Sequence, residues 1–195
     1  PYPDCGYGGS FYDWMYSDDP QPYHSFGNGA AMRISAVGFA ARNMNEVKAL
    51  SRAVTAISHD HPEGLKGAES VAMAIFLARQ SKTKQQIRGY IEQNYYKIGF
   101  TLDEIRGTYE FNETCQNTVP QAFEAFFEAK DFEDAIRNAV RVGGDSDTLA
   151  AIAGSIAEAY FGVPFDLRKK AESYIDNDTF RPVHTWLKRF EKMFP

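Results

Sequence analysis

Beyond Asn28 the apolar residues fall at intervals of three and four, the spacing that lines one face of an α-helix. Asn28 stands where it can cap a helix over "GAAMRISAVGFAAR", and Asn45 where it can cap the next, with Val47, Leu50, Val54 and Ile57 on one face. Pro62 suits a first helical position, and Val71, Ile75 and Ala78 form a stripe behind it. Thr83 opens a segment carrying Ile87, Tyr90, Ile91 and Tyr95, and "TLDEIRGTY" predicts a short helix. Pro120 is placed to start the next, through Phe123, Phe126 and Phe127. Asp131 opens "DFEDAIRNAVRV", which Gly143 ends. A further helix stops at Gly162, Pro164 begins another, and Arg181 to Phe194 supplies a last amphipathic stretch. Residues 1–29, rich in Gly, Pro and aromatics, read as an irregular but ordered loop. No alternating strand pattern of useful length occurs. The pattern predicts an all-α chain of about nine or ten helices in one domain, residues 1–195.

Composition narrows the possibilities. Of 195 residues, 44% are apolar and 24% charged, the mix of a globular protein with a real core. The net charge is −5 with no basic cluster, so a nucleic-acid backbone is not an expected partner. No apolar run approaches the roughly 18 residues of a membrane span, so no membrane is expected either. Two cysteines, Cys5 and Cys115, are too few for a disulfide framework and do not match a zinc motif. A cytoplasmic location is the expectation.

The chemistry concentrates in "VGGDSDTLAAIAGSIAEAYFG", Val142 to Gly162. Glycines that end one helix and an aspartate that caps the next would explain part of "GGDSDT" as a plain connection. They leave a second aspartate and Thr148 over. Asp145, Asp147 and Thr148 together offer five side-chain oxygens on one turn, the hard donors that Mg²⁺ takes. The small residues that follow, Ala150, Ala151, Ala153, Gly154 and Ser155, suit a helix that its neighbours approach closely.

This stretch resembles the C-terminal metal-binding signature of the ADP-ribosylglycohydrolase family. "SFGNGAAMR" (Ser25–Arg33) resembles that family's phosphate- and ribose-binding loop, and "SHDHPEGLKGA" (Ser58–Ala68) its histidine-containing segment. "GYGGSFYDWM" (Gly6–Met15) is similar to the run that precedes the loop in many bacterial members. The resemblance implies a compact orthogonal multi-helix bundle of the ADP-ribosylglycohydrolase type. It implies that Ser25, Phe26, Gly27, Asn28, Gly29 and His59 bind ADP-ribose. It implies that Asp145, Asp147 and Thr148 bind Mg²⁺, as one ion or two, or Mn²⁺ in its place. The reaction implied is hydrolysis of the glycosidic bond between ADP-ribose and an acceptor, and the partner an ADP-ribosylated protein.

Each feature also has a plainer reading. Gly-Asn-Gly is a common turn, although glycines and free N–H groups there suit a diphosphate. Two histidines around Asp60 invite a metal reading, but Pro62 makes a helix start with Asp60 or His61 as cap the simpler one. Phe26, Tyr109 and Tyr23 are candidates to stack on adenine. Cys115 has no paired base that would make it a nucleophile. The resemblance further implies a Thr-Asp-Asp segment N-terminal to this sequence, supplying the remaining metal ligands. "YSDDP" at Tyr16–Pro20 echoes it only superficially, and Asp18 and Asp19 read as a solvated turn. The metal site is therefore expected to be incomplete in this chain, with a separate chain carrying that segment as one source of the rest. Two alternatives follow: a non-catalytic ADP-ribose-binding or partner subunit, and a structural protein on the same fold.

Overall fold

The structure, a computed structural model, describes residues 7–175, 181–185 and 188–189. Its helices are α1 (Gly9–Met15), α2 (Gly29–Met32), α3 (Ser35–Ala40), α4 (Met44–Thr55), α5 (Pro62–Arg79), α6 (Lys84–Asn94), α7 (Leu102–Ile105), α8 (Cys115–Glu128), α9 (Phe132–Val142), α10 (Ser146–Phe161) and α11 (Phe165–Glu172). Residues 181–185 are also helical. Among the described residues there is no strand, only an isolated antiparallel bridge between Gly27 and Thr114. The all-α expectation holds. Cys5, and residues 186–187 and 190–194 of the last amphipathic stretch, lie outside the described residues.

Helix α5 is the centre of the bundle. Every residue from Ser70 to Ala78 is buried, which fits a helix that is apolar on all sides. It packs against α2, α3, α4, α6, α8 and α10. Gly38 lets α3 touch it: a Cβ there would stand 2.6 Å from Ile75 Cβ and 2.7 Å from the Ala72 carbonyl oxygen. Helix α10 is the second pillar, packed on α5, α8 and α9. Its small residues act as expected, since a Cβ on Gly154 would meet Ile136 Cδ1 at 2.6 Å. Lys84 reaches over from α6 and donates to the Phe127 and Ala129 carbonyls, closing the C-terminal end of α8.

Several boundaries differ from the sequence reading. The N-terminal loop contains α1, a seven-residue aromatic helix that buries none of its residues fully. The segment after Asn28 is two helices rather than one, interrupted at Arg33 and Ile34, and both pieces pack on α5. Helix α4 is capped by Asn43, not Asn45. Asn43 is extended and its side chain accepts from the Glu46 N–H, while the Arg42–Glu46 ion pair at 2.6 Å locks the same turn. Helix α8 starts at Cys115, so Pro120 is inside it and leaves the Gln116 carbonyl without its helical donor. The start signals at Thr83 and Asp131 hold: Thr83 forms a capping box and Asp131 accepts from the Asp134 N–H, while a second capping box at Thr101 starts the short helix α7. Gly143, at φ 87°, ends α9.

Candidate functional site

The loop Ser25–Gly29 is held open by its flanks. Gly27 N–H donates to Ser25 Oγ at 3.1 Å. The bridge to the strap before α8 fixes the rest: Cys115 N–H donates to the Phe26 carbonyl at 3.0 Å, and Asn28 N–H to the Glu113 carbonyl at 2.7 Å. Cys115 Sγ donates to the Gly27 carbonyl at 3.2 Å. The strap is itself rigid, because Asn112 Oδ1 accepts from both the backbone and the hydroxyl of Thr114.

Asn28 joins the two halves of the site. Its backbone is helical and its side chain caps nothing. The amide Nδ2 instead donates to Asp145 Oδ2 at 2.6 Å, with Thr118 Oγ1 at 3.0 Å and the Asn112 carbonyl at 3.2 Å around it. A loop read as phosphate-binding and a turn read as metal-binding, 117 residues apart, thus meet through one buried hydrogen bond.

Asp145 and Thr148 are buried, whereas Asp147 is exposed beside them. Burial pushes the Asp145 carboxyl above its usual range. The neighbouring Asp147 carboxylate pushes the same way, while hydrogen bonds from Asn28 and Thr148 pull it back. Two carboxylates and a hydroxyl crowded at one helix start form a hard-oxygen donor set of the kind a divalent cation takes. They fit one face of such a site. Among the described residues no group of three His, Cys, Asp or Glu is placed to hold a metal ion. Gly144, at φ 61°, makes the turn possible, since a Cβ there would meet Tyr109 Cε1 at 2.5 Å.

His59 lies on the other side of the loop and is buried. Its Nδ1 is bonded to Ser58 Oγ at 2.8 Å. Its Nε2 stands 3.5 and 3.7 Å from where Cβ atoms on Gly27 and Gly29 would be. Burial, and then the Arg33 charge, lower its pKa to about 4, so the imidazole is neutral near pH 7. The other two residues of the His-Asp-His run are structural. His61 Nδ1 accepts from the Glu63 N–H as cap of α5, and Asp60 Oδ1 accepts from the His24 N–H.

The aromatic candidates separate. Phe26 is exposed, with its ring 5.1 Å from that of His61. Tyr23 stands edge-on to His59 at 5.8 Å. Tyr109 is wall, packed under Gly144 with its hydroxyl donating to the Asn117 carbonyl. Asp18 and Asp19 are exposed, and Asp19 N–H donates to Ser17 Oγ within a local turn. The sequence reading missed Asn112, Thr114 and Thr118. Their signal was the polar run "FNETCQNT", dense in the short side chains that bond backbone. It also assigned Arg33 no role of its own. Arg33 lines a cleft of about 310 Å³ with Phe11, Trp14, Val54, Ile57 and His59.

A sequence model of the ADP-ribosylglycohydrolase family matches residues 5–191. The chain is 27% identical over 203 residues to the ADP-ribosylhydrolase ARH3 of Homo sapiens, covering 79% of this chain and 56% of that protein. It is 27% identical over 153 residues to an uncharacterized protein of Archaeoglobus fulgidus, covering 70% and 50%. Among solved structures, a chain of an ADP-ribosylglycohydrolase-related protein complex matches with a TM-score of 0.64 at 24% identity, over 84% of this chain and 64% of that one. That last likeness is one of fold. The chain spans about half the length of the curated relatives it matches.

Proposed function

The chain belongs to the ADP-ribosylglycohydrolase family, and on that premise we propose that it binds an ADP-ribosyl group and serves Mg²⁺-dependent hydrolysis of the glycosidic bond joining ADP-ribose to a protein acceptor. The observation that supports this most is the 2.6 Å bond from Asn28 to Asp145, which makes the glycine loop and the aspartate turn one site. Gly27 and Gly29 keep the loop backbone open for a diphosphate. The neutral imidazole of His59, pinned through Ser58, offers Nε2 to a sugar hydroxyl beside that loop. Asp145, Asp147 and Thr148 would hold a divalent cation, Mg²⁺ or Mn²⁺, one or a pair, which when bound supplies Lewis-acid polarisation at the ribose. Asn28 keeps Asp145 aimed, so one carboxylate of the set is in place before any ligand arrives.

The donor count supports a division of labour. Six oxygens surround an octahedral Mg²⁺, and two carboxylates with one hydroxyl fill only part of that shell. We therefore propose that full turnover needs carboxylates from a further polypeptide segment of the Thr-Asp-Asp type. The same count favours a second reading, an ADP-ribose-binding subunit without turnover. The test is ADP-ribose release from an ADP-ribosylated peptide, with Mg²⁺ or EDTA, by the chain alone and with a Thr-Asp-Asp-bearing segment of a family relative added. Turnover is expected to be at least about a hundredfold higher with the segment, because loose placement of the reacting groups by about 1 Å costs that much. Asp147→Ala should abolish it. ADP-ribose binding with no turnover under any addition selects the second reading. Absence of ADP-ribose binding overturns both.

A further inference from the structure

The neutral imidazole of His59 has one ring proton and two nitrogens to carry it, and the hydrogen bond at one nitrogen decides what the other offers. Ser58 and His59 are both buried. Nδ1 lies 2.8 Å from Ser58 Oγ. Nε2 takes no partner among the described residues, and Cβ atoms on Gly27 and Gly29 would stand 3.5 and 3.7 Å from it. The two nitrogens therefore have separate duties: Nδ1 is held from behind, and Nε2 is open toward the glycine loop.

Ser58 has one hydroxyl proton and two partners for it. The second partner is the Tyr23 hydroxyl. Tyr23 is kept there by its backbone N–H, which donates to the Ser58 carbonyl at 3.4 Å, and its ring stands edge-on to the imidazole at 5.8 Å. Two chains of donation are open. In one, Tyr23 donates to Ser58 and Ser58 to Nδ1, which leaves the ring proton on Nε2. In the other, Nδ1–H donates to Ser58 and Ser58 to Tyr23, which leaves Nε2 bare. A phenol is a stronger acid than an alcohol and therefore the stronger donor. The first chain follows donor strength, and the second opposes it.

We propose that Ser58, backed by Tyr23, is the positioning residue of His59: it holds the imidazole as the Nε2–H tautomer, so that the ring meets the ADP-ribosyl group as an uncharged hydrogen-bond donor and takes an acceptor oxygen lying over Gly27–Gly29. The ligand named here rests on the ADP-ribose reading of the site, whereas the tautomer belongs to the free chain. A side chain at position 27 or 29 would fill the space in front of Nε2, so the glycines leave the place that the ligand oxygen needs. The tautomer also sorts ligand groups. An Nε2–H can bond a phosphate oxygen or a ring oxygen, which have lone pairs and no proton. A bare Nε2 would set lone pair against lone pair there and take only a group with a proton to give.

The test is proton–nitrogen correlation NMR of the whole chain, with isotope-labelled histidine, at pH 7. The His59 signals are those lost in His59→Gln. In the wild type Nε2 should carry the proton, and Nδ1 should resonate far downfield as a bare, hydrogen-bonded nitrogen. Ser58→Ala should let both tautomers exchange and draw the two nitrogen shifts toward each other, with the helical circular-dichroism signal unchanged. Ser58→Thr should restore their separation. If Ser58→Ala does not fold, Ser58→Cys, whose thiol is a weak donor, carries the same test. Saturating ADP-ribose should preserve the tautomer and move the Nε2–H proton downfield. A ring proton on Nδ1 in the wild type, nitrogen shifts unmoved by loss of the Ser58 hydroxyl, or an Nε2–H unmoved by bound ADP-ribose overturns the proposal. A wild type that shows the stated tautomer but binds no ADP-ribose supports the hold of Ser58 on His59 and overturns the ADP-ribose reading of the site.

Discussion

Asn28 shows how far a single residue can be understood from its neighbours. An asparagine before a helical run reads as a cap, and nothing local says otherwise. Its side chain is instead committed to Asp145, Thr118 and the Asn112 carbonyl, partners that only the tertiary fold supplies. The residue types of the site were legible; the bond that unites them was not. His59 was legible as a residue of interest, and its neutrality is a product of burial. That neutrality has a pH consequence. In the unfolded chain a histidine takes up a proton near pH 6.5, while folded His59 does so only near 4. Between those values the unfolded state binds the extra proton, so stability falls as pH drops from about 6.5 toward 4 and is fully present above that range. Urea melts at pH 7 and pH 5 should differ by up to about 2 kcal/mol more in wild type than in His59→Gln. An equal pH dependence in the two would show that the imidazole is not held neutral.

At the scale of elements, start signals made by side chains were readable where a single candidate cap precedes the segment. Thr83 and Asp131 act as the sequence suggested, and the short helix expected in "TLDEIRGTY" forms behind a Thr101 cap. The failures have physical causes. Asn45 and Asn43 are both plausible caps, and the choice fell to Asn43 because Arg42 and Glu46 reinforce its turn. Pro120 looked like a start because proline favours first turns, but its buried setting in α8 tolerates the lost bond. A direct check compares two alanine variants. Asn43→Ala should cost about 1 kcal/mol, visible as a fall of a few degrees in Tm, and Asn45→Ala should stay within about 0.5 kcal/mol. The reverse order would restore Asn45 as the cap. The break between α2 and α3 had no sequence signal, because no glycine or proline marks Arg33–Ile34.

For the whole molecule, the all-helical architecture followed from periodicity alone, and the family followed from motif order. The exposed side of α4 did not. Val47, Leu50, Val54 and Ile57 share a helical spacing, yet only Val47 is buried, because the bundle covers one edge of that face and leaves the other open. Periodicity reports that an apolar face exists, not what covers it. The buried residues form one continuous cluster running from α2 to α10. The described chain should therefore melt as a single unit, with helical signal and tyrosine fluorescence changing together. Separate transitions for the two probes would divide the domain that the core unites. No described helix is long and apolar enough to cross a membrane.

The thiol of Cys115 turns the loop into a clock. Burial raises its pKa to about 12, and its hydrogen is given to the Gly27 carbonyl, so in the closed loop it is inert to alkylating reagents at neutral pH. Modification requires the bridge between the loop and the strap to part. In a Cys5→Ser background the alkylation rate would then count openings of the loop directly. A ligand that settles on Gly27–Gly29 should slow that count in proportion to its occupancy, whether or not it is ever hydrolysed. Saturating ADP-ribose that leaves the rate unchanged would mean that the loop opens as freely with its ligand as without it.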